Sequence, residues 1–92
     1  GRLIPQLEGA AVANIERGMP MFGKVEGALV ARVEANSPAW YYGLRPGDII
    51  VSINRTRTRN VAELQTALRN NERNAMAVTL LRGDFRLTIL IR

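Results

Sequence analysis

The chain has 92 residues, of which 47% are hydrophobic and 23% are charged, and this length and balance allow one small globular domain but not two. It contains no cysteine and no histidine, which excludes zinc fingers, thiol nucleophiles and every catalytic set built on histidine within these residues. The formal net charge of +5 raises nucleic acid as a partner class, but the arginines are scattered along the chain, which favours a solvated basic surface and no nucleic-acid partner.

The apolar runs of the chain are short. None approaches the roughly 18 residues that a membrane-spanning helix needs, so the sequence predicts no direct insertion into a membrane. The first residues also lack the charged and then apolar pattern of a secretory leader, and we expect any targeting signal to lie outside this stretch. The absence of cysteine is compatible with oxidising and reducing compartments alike.

The first third of the chain predicts two strands separated by a loop. Residues 9–15, "GAAVANI", are small and apolar and are compatible with a short strand. Residues 16–26 contain two glycines and a proline without a clear period, which is typical of a loop. Alternation in residues 27–33 predicts a half-buried strand. The residues expected on its buried face are Leu29, Ala31 and Val33.

A very short helix is predicted next. The hydroxyl of Ser37 is suited to cap free N–H groups, and Pro38 fits the first helical position. Gly43 is a good end for the helix because glycine adopts the left-handed conformation without steric cost. Barely more than one turn lies between these signals.

The following residues predict a buried strand and a full-length helix. Residues 48–53, "DIIVSI", are apolar on both faces and are expected at the centre of a sheet. Residues 54–59 form a polar turn with a short extended piece. Asn60 and Glu63 have the spacing of a capping box, which places a helix over residues 61–70.

The chain ends in a predicted hairpin. Residues 75–82 and 85–92 flank the two-residue turn Gly83-Asp84, and glycine at its first position favours a type II′ turn, which matches the twist of the strands. The face expected to be buried consists of Phe85, Leu87, Ile89 and Ile91. The predicted fold class is therefore mainly β with α (α+β), a partly open barrel or sandwich of five to six strands capped by two helices.

One motif with many fixed spacings lies in residues 37–54, "SPAWYYGLRPGDIIVSIN". It resembles the S-P-A-x-x-x-G-L-x-x-G-D-x-I-x-x-I-N pattern of the PDZ domain family. The matching positions are Ser37, Pro38, Ala39, Gly43, Leu44, Gly47, Asp48, Ile50, Ile53 and Asn54. The resemblance extends over residues 7–91, and it implies that residues 1–92 form a single PDZ domain.

Three further segments indicate which group of PDZ domains this chain resembles. "LIPQLEGA", "NVAELQTAL" and "LLRGDFRLTILIR" are similar to the second, C-terminal PDZ domain of the HtrA/Deg family of bacterial serine proteases. This similarity implies a circularly permuted strand order, in which residues 85–91 occupy the place where an animal domain begins. It also implies a periplasmic location, a protease domain upstream of this noncatalytic fragment, and a role in protein quality control through peptide binding, subunit assembly or both.

The family binds peptides by β-augmentation, in which a C-terminal segment adds a strand to a sheet edge. The resemblance implies that the carboxylate is held by a loop of this chain, Leu7, Glu8, Gly9 and Ala10. The groove residues implied in the same way are Ala11, Val12, Val61, Gln65 and Leu68. Positions 8 and 10 are usually large and apolar in the family, whereas this chain has Glu8 and Ala10. A carboxylate at position 8 repels an incoming C-terminus unless the Glu8 side chain points to solvent.

Three adjacent aromatic residues, Trp40, Tyr41 and Tyr42, interrupt the motif. One interpretation is that they cover the apolar part of the loop, residues 19–22. The other is that Trp40 and Tyr41 form an interface for a neighbouring domain or subunit, because aromatic residues are enriched at interface centres.

Two other function classes remain open at this stage. One is a PDZ adaptor attached to a membrane protease or secretion component, and the other is a nucleic-acid binder that uses the positive charge. Asp48 is interpreted as a turn-stabilising residue rather than a catalytic or metal-binding one. The sequence predicts no metal and no cofactor.

Overall fold

The computed structural model describes residues 7–71 and 75–91, in which six strands form one antiparallel sheet with two helices. The strands are β1 (Ala10–Asn14), β2 (Ala28–Val33), β3 (Ile49–Ile53), β4 (Thr56–Arg57), β5 (Met76–Arg82) and β6 (Phe85–Ile91), and the helices are α1 (Pro38–Tyr42) and α2 (Val61–Asn70). The strand order is β1-β2-β3-β5-β6, with β4 paired to β3. The predicted fold class is confirmed, and the sheet is open, with β1 and β6 at its edges.

The core lies between the sheet and α2. Strand β3 is central, as predicted, and its residues Ile50 and Ile53 are fully buried. The largest fully buried apolar side chains are Leu7, Leu44, Ile50, Ile53, Leu64, Leu68, Met76, Leu80, Ile91, Val30 and Val78. They come from every part of the described chain, so all elements except the small β4 contribute to, or directly flank, one continuous apolar cluster.

Strand β2 buries a different set of side chains from the predicted one. Its buried residues are Ala28, Val30 and Val33, instead of Leu29, Ala31 and Val33. Consecutive residues of β1 pair with β2 residues two apart, Arg32 and Val30, so Ala31 is the extra residue of a β-bulge. A bulge shifts the alternation by one position. The prediction was wrong because it assumed an uninterrupted ladder.

Helix α2 spans the predicted residues. The Asn60 side chain accepts a hydrogen bond from the Glu63 N–H at 2.9 Å. In return, the Glu63 carboxylate accepts one from the Arg59 N–H at 2.9 Å, one residue before the position that a standard capping box uses. The helix then buries Leu64, Ala67 and Leu68 against the sheet.

The final hairpin has the predicted turn. Gly83 has φ 60°, and Asp84 does not have a positive φ, which is the pattern of a type II′ turn. Leu87, Ile89 and Ile91 face the core. Phe85, also predicted to be buried, is 72% exposed, because it pairs with Arg82 at the hairpin tip, beyond the edge of the core.

Helix α1 also has the predicted ends. The Ser37 hydroxyl oxygen accepts a hydrogen bond from the Trp40 N–H at 3.2 Å, and Gly43 ends the helix in the left-handed conformation. The Ala39 N–H donates to the Glu8 carbonyl at 3.1 Å. This hydrogen bond holds α1 beside the turn that precedes β1.

Gly9 makes the close approach of this turn to α1 possible. Its φ is 98°, and a Cβ atom built on it would overlap Cβ and Oγ of Ser37. Glycine is therefore required at position 9 for two separate reasons, the backbone conformation and the absence of a side chain.

A buried ion pair connects α1 to the sheet. Asp48 is 1% exposed, and its carboxylate accepts hydrogen bonds from Arg82 Nε at 2.9 Å and Arg82 Nη2 at 2.8 Å. The same carboxylate accepts one from the Arg45 N–H at 2.9 Å, which confirms its turn-stabilising role. Arg82 Nη2 also donates to the Gly43 carbonyl at 2.9 Å. The pair thus joins the end of β5, the start of β3 and the end of α1.

The hydrogen bonds with Asp48 are the main cause that raises the pKa of Arg82 above its ordinary value. A raised pKa in the folded state stabilises the charged form. This stabilisation is complete at any pH below the ordinary pKa of arginine and is lost only as the pH rises through the folded value. The arginine side of the pair therefore gives no pH dependence of stability near neutrality.

We expect the Arg82→Met variant to lose about 2–3 kcal/mol of unfolding free energy, because the buried Asp48 carboxylate would lose its guanidinium partner. Urea denaturation measures this loss. The control is Arg86→Met, which removes an exposed arginine from the adjacent strand and is expected to change the unfolding free energy by less than about 0.5 kcal/mol. Equal losses in the two variants would contradict the role given to the ion pair.

We expect Gly9→Ala to lose about 2–3 kcal/mol, from the positive φ together with the overlap with Ser37. Ser37→Gly removes the overlapping atoms while glycine remains an acceptable N-cap, so this change by itself costs less than about 1 kcal/mol. The double variant should lose less than the sum of the two single losses, since only the conformational cost remains. Additive losses in thermal or urea unfolding would show that the contact with Ser37 is not the cause.

Candidate functional site

Strand β1 has one side that no strand of the described chain covers. It pairs with β2 and lies at the edge of the sheet, and α2 packs beside it. An edge strand presents alternate N–H and C=O groups to any extended segment that approaches it. The space between β1 and α2 is therefore the candidate groove.

The pairing of β1 with β2 shows which peptide groups point into this space. The Glu34 N–H donates to the Gly9 carbonyl at 2.9 Å, and Ala10 pairs with Val33. In an antiparallel ladder this arrangement makes Ala10 and Val33 a pair that exchanges no hydrogen bonds. The N–H and C=O of Ala10 consequently point away from β2, toward the open edge.

The same holds for the next alternate residue. Val12 pairs with Val30, whose N–H donates to the Asp48 carbonyl at 2.7 Å and whose carbonyl accepts from the Gly47 N–H at 2.8 Å. Val30 thus directs both groups away from β1. The peptide groups of Val12, and by alternation those of Asn14, are directed to the open edge.

The turn before β1 ends the groove on one side. Leu7 is fully buried and anchors it, and the carbonyls of Glu8 and Gly9 accept hydrogen bonds from Ala39 and Glu34. The Glu8 side chain is exposed. Consecutive backbone N–H groups in such a turn can hold an anion, including a carboxylate.

The two walls of the groove use only some of the residues implied by the family resemblance. Val12 is partly buried against the core on the side that faces α2, and Val61 packs in the same cluster. Gln65 is half-buried and Leu68 is only 2% exposed. Ala11 is exposed, and the alternation along β1 places its side chain on the opposite face from Val12.

One hydrogen bond between β1 and α2 was not predicted from the sequence. The Asn14 side-chain oxygen accepts a hydrogen bond from the Val61 N–H at 2.8 Å, which fixes the first turn of α2 to the end of β1. The two residues are 47 positions apart, and an asparagine after an apolar run is an ordinary strand end. No local pattern distinguishes it from a turn residue.

The aromatic triplet lies at the other end of β1, on α1. The Arg45 guanidinium carbon is 3.7 Å from the centroid of the Trp40 ring, and Trp40 and Tyr42 pack against the core. Tyr41 is 74% exposed. Phe22, one of the loop residues 19–22, lines a cavity with Asn14 at the far end of β1, and this position gives no support to the interpretation that the triplet covers this loop.

Residues 7–71 and 75–91 contain neither a candidate metal site nor a candidate membrane-spanning helix. No group of three or more His, Cys, Asp or Glu side chains is placed to hold a metal ion. No helix in the same residues is long and apolar enough to cross a membrane.

Comparisons with known proteins agree with this fold. The family model described as "PDZ domain" matches residues 29–82. Among solved structures, the HtrA3 PDZ domain bound to a phage-derived ligand (FGRWV) is similar, with a TM-score of 0.76, 28% sequence identity, and coverage of 90% of this chain and 79% of that one.

The relatives by sequence are serine proteases that are much longer than this chain. The periplasmic serine endoprotease DegP of Salmonella typhimurium is 34% identical over 86 residues, which are 94% of this chain and 16% of DegP. A probable periplasmic serine protease do/HhoA-like of Haemophilus influenzae is 34% identical over 90 residues, or 97% of this chain and 18% of that protein. The chain therefore belongs to the PDZ domain family, and its homologues are the PDZ regions of HtrA/DegP-type serine proteases.

Proposed function

We propose that this domain captures extended C-terminal segments of unfolded proteins for a periplasmic serine endoprotease of the HtrA/Deg type. The observation that carries the proposal is the open edge of β1, whose peptide groups at Ala10 and Val12 point toward α2 and follow the glycine-containing turn at residues 7–10. This arrangement supplies both parts of β-augmentation, a strand edge and a carboxylate-binding loop.

The mode of binding follows from these positions. The terminal carboxylate accepts hydrogen bonds from the N–H groups of Glu8, Gly9 and Ala10. The segment then runs antiparallel to β1, because its C-terminus lies where β1 begins. Its side chains at alternate positions enter the groove and contact Val12 and Val61, and Gln65 offers a polar contact.

The whole protein's activity is part of the proposal. The chain spans 16% and 18% of the lengths of the DegP and HhoA-like relatives, both of which are named periplasmic proteases. We assign to this chain the noncatalytic, peptide-binding part of such an enzyme, in protein quality control in the periplasm. The catalytic residues belong to a protease domain elsewhere in the full-length protein.

Titration of the 15N-labelled 92-residue chain with the peptide FGRWV tests this proposal. We expect the largest amide shifts at Glu8, Gly9, Ala10 and Val12, because their N–H groups gain acceptors. Amidation of the peptide C-terminus removes the charge from the carboxylate and should weaken binding by about tenfold or more, since a hydrogen bond to a charged group contributes about 1.5–3 kcal/mol.

A matched peptide with the same composition and a reversed sequence controls for nonspecific apolar contact. Shifts confined to the exposed apolar residues Phe85 and Leu90 would contradict binding in the groove, as would the absence of shifts at residues 8–10 with every free-carboxylate peptide tested.

A second role, assembly of subunits or domains, is supported by one observation. Tyr41 is 74% exposed on a helix whose other two aromatic residues pack inward. An exposed aromatic side chain beside a rigid, partly buried one is typical of an interface centre. We assign Trp40 and Tyr41 to an interface with a neighbouring domain or subunit of the parent protease.

Tyr41→Ser in the full-length protein should lower the average assembly size measured by sedimentation velocity, while the thermal midpoint of the isolated domain stays within about 2 °C, because Tyr41 is outside the core. Tyr41 is a better probe than Trp40, whose removal would also disturb Arg45 and the core. The control is Thr66→Ser, an exposed position on α2. An unchanged sedimentation profile would contradict the interface.

A further inference from the structure

A cavity of about 460 Å³ adjoins the end of β1 that lies farthest from the carboxylate-binding turn. We call it the basic cavity, and the lining residues that matter here are Asn14, Ile15, Lys24, Glu26, Arg57 and Arg59. They come from the end of β1, the loop after it, β4 and the residues that lead into α2. The cavity thus shares Asn14 with the open edge of β1.

The charge of the basic cavity is positive. Lys24, Arg57 and Arg59 line it together with a single carboxylate, that of Glu26. Arg59 is partly engaged by Glu63 through an exposed contact of 3.9 Å, which is weak in solvent. In the described part of the chain, Lys24 and Arg57 form no ion pair.

Helix α2 adds to the same potential. It has ten residues and begins beside the basic cavity, where Asn60 is its N-cap. The N-terminus of a helix carries a partial positive charge. Lys24, Arg57 and the helix end therefore favour an anionic side chain in this cavity over a neutral one.

The direction of a bound segment determines which of its residues reach the basic cavity. The outward peptide groups of Ala10, Val12 and Asn14 pair with alternate residues of an antiparallel segment, which are the last residue and those two and four positions before it. Each residue advances the strand by about 3.3 Å. The residues four to six positions before the C-terminus consequently lie at Asn14 and in the cavity.

We propose that this domain prefers C-terminal segments with Asp or Glu four to six positions before the terminal residue. The basic cavity holds these carboxylates with Lys24 and Arg57, while the turn at residues 7–10 holds the terminal carboxylate. The inference rests on the proposed function, because it requires a segment bound along β1. It adds a specificity-determining site that does not involve the groove walls.

Two labelled peptides, EDEGRWV and SGSGRWV, test the preference by fluorescence anisotropy with the 92-residue chain. They share their last four residues and differ only at the positions assigned to the basic cavity. We expect EDEGRWV to bind about five- to tenfold more tightly at about 50 mM salt, and the difference to shrink at about 300 mM salt, since the charges are solvent-accessible.

The variant Lys24→Gln/Arg57→Gln should abolish the difference between the peptides and leave the affinity for SGSGRWV within about twofold. The matched control Arg55→Gln/Arg69→Gln removes the same charge from exposed positions that do not line the cavity. It should retain the preference. Loss of the preference in both variants would show that net charge, and not the cavity, is the cause.

The outcomes separate this inference from the proposed function. Equal affinities for the two peptides, with amide shifts at residues 8–10, would overturn the acidic preference and leave peptide capture intact. No binding of either peptide would overturn both. Undiminished binding of EDEGRWV after amidation of its C-terminus would also overturn the inference, because the charges would then act without the groove.

Discussion

The buried carboxylate of Asp48 is the contact on which the arrangement of the groove depends. With 1% of its surface exposed, it requires partners, and it finds them in Arg82 from β5 and the backbone of Arg45. Through Arg82 the same network reaches the end of α1. Because the buried Asp48 carboxylate needs hydrogen-bond donors, its pairing with Arg82 fixes α1 on the sheet. Helix α1 then supports the residues that precede β1, through the Ala39–Glu8 hydrogen bond.

The two ends of the groove are held by unrelated contacts. At one end, Gly9 allows the turn to pack against Ser37 without a clash, and the Gly9 carbonyl accepts a hydrogen bond from the Glu34 N–H. At the other end, Asn14 is bonded to the first turn of α2. Together they hold the open edge of β1 beside α2 before any ligand is present. Such preorganisation lowers the entropic cost of adding a strand.

Short sequence patterns determined the helix ends, the hairpin turn and the family of this protein. The ends of α1 and α2 and the type II′ turn were predictable because each depends on hydrogen bonds or backbone angles within a few residues, such as the cap that Ser37 provides. The motif that ends at Asn54 identified the family. The turn at residues 7–10 was indicated only through that family resemblance, since a glycine between two short apolar stretches has no unique local meaning.

Only the tertiary structure decided the rest, because it depends on residues that are distant in sequence. The bulge at Ala31 reversed the predicted faces of the β2 residues that precede it, and it exists only in the ladder with β1. The partner of Asp48 lies 34 positions away, and that of Asn14 lies 47 positions away. The sequence shows the +5 net charge, but its concentration around the basic cavity arises from folding, which brings Lys24 and Arg57 to one end of β1. Composition determines how much charge a chain carries, and only the packing of its elements determines where that charge acts.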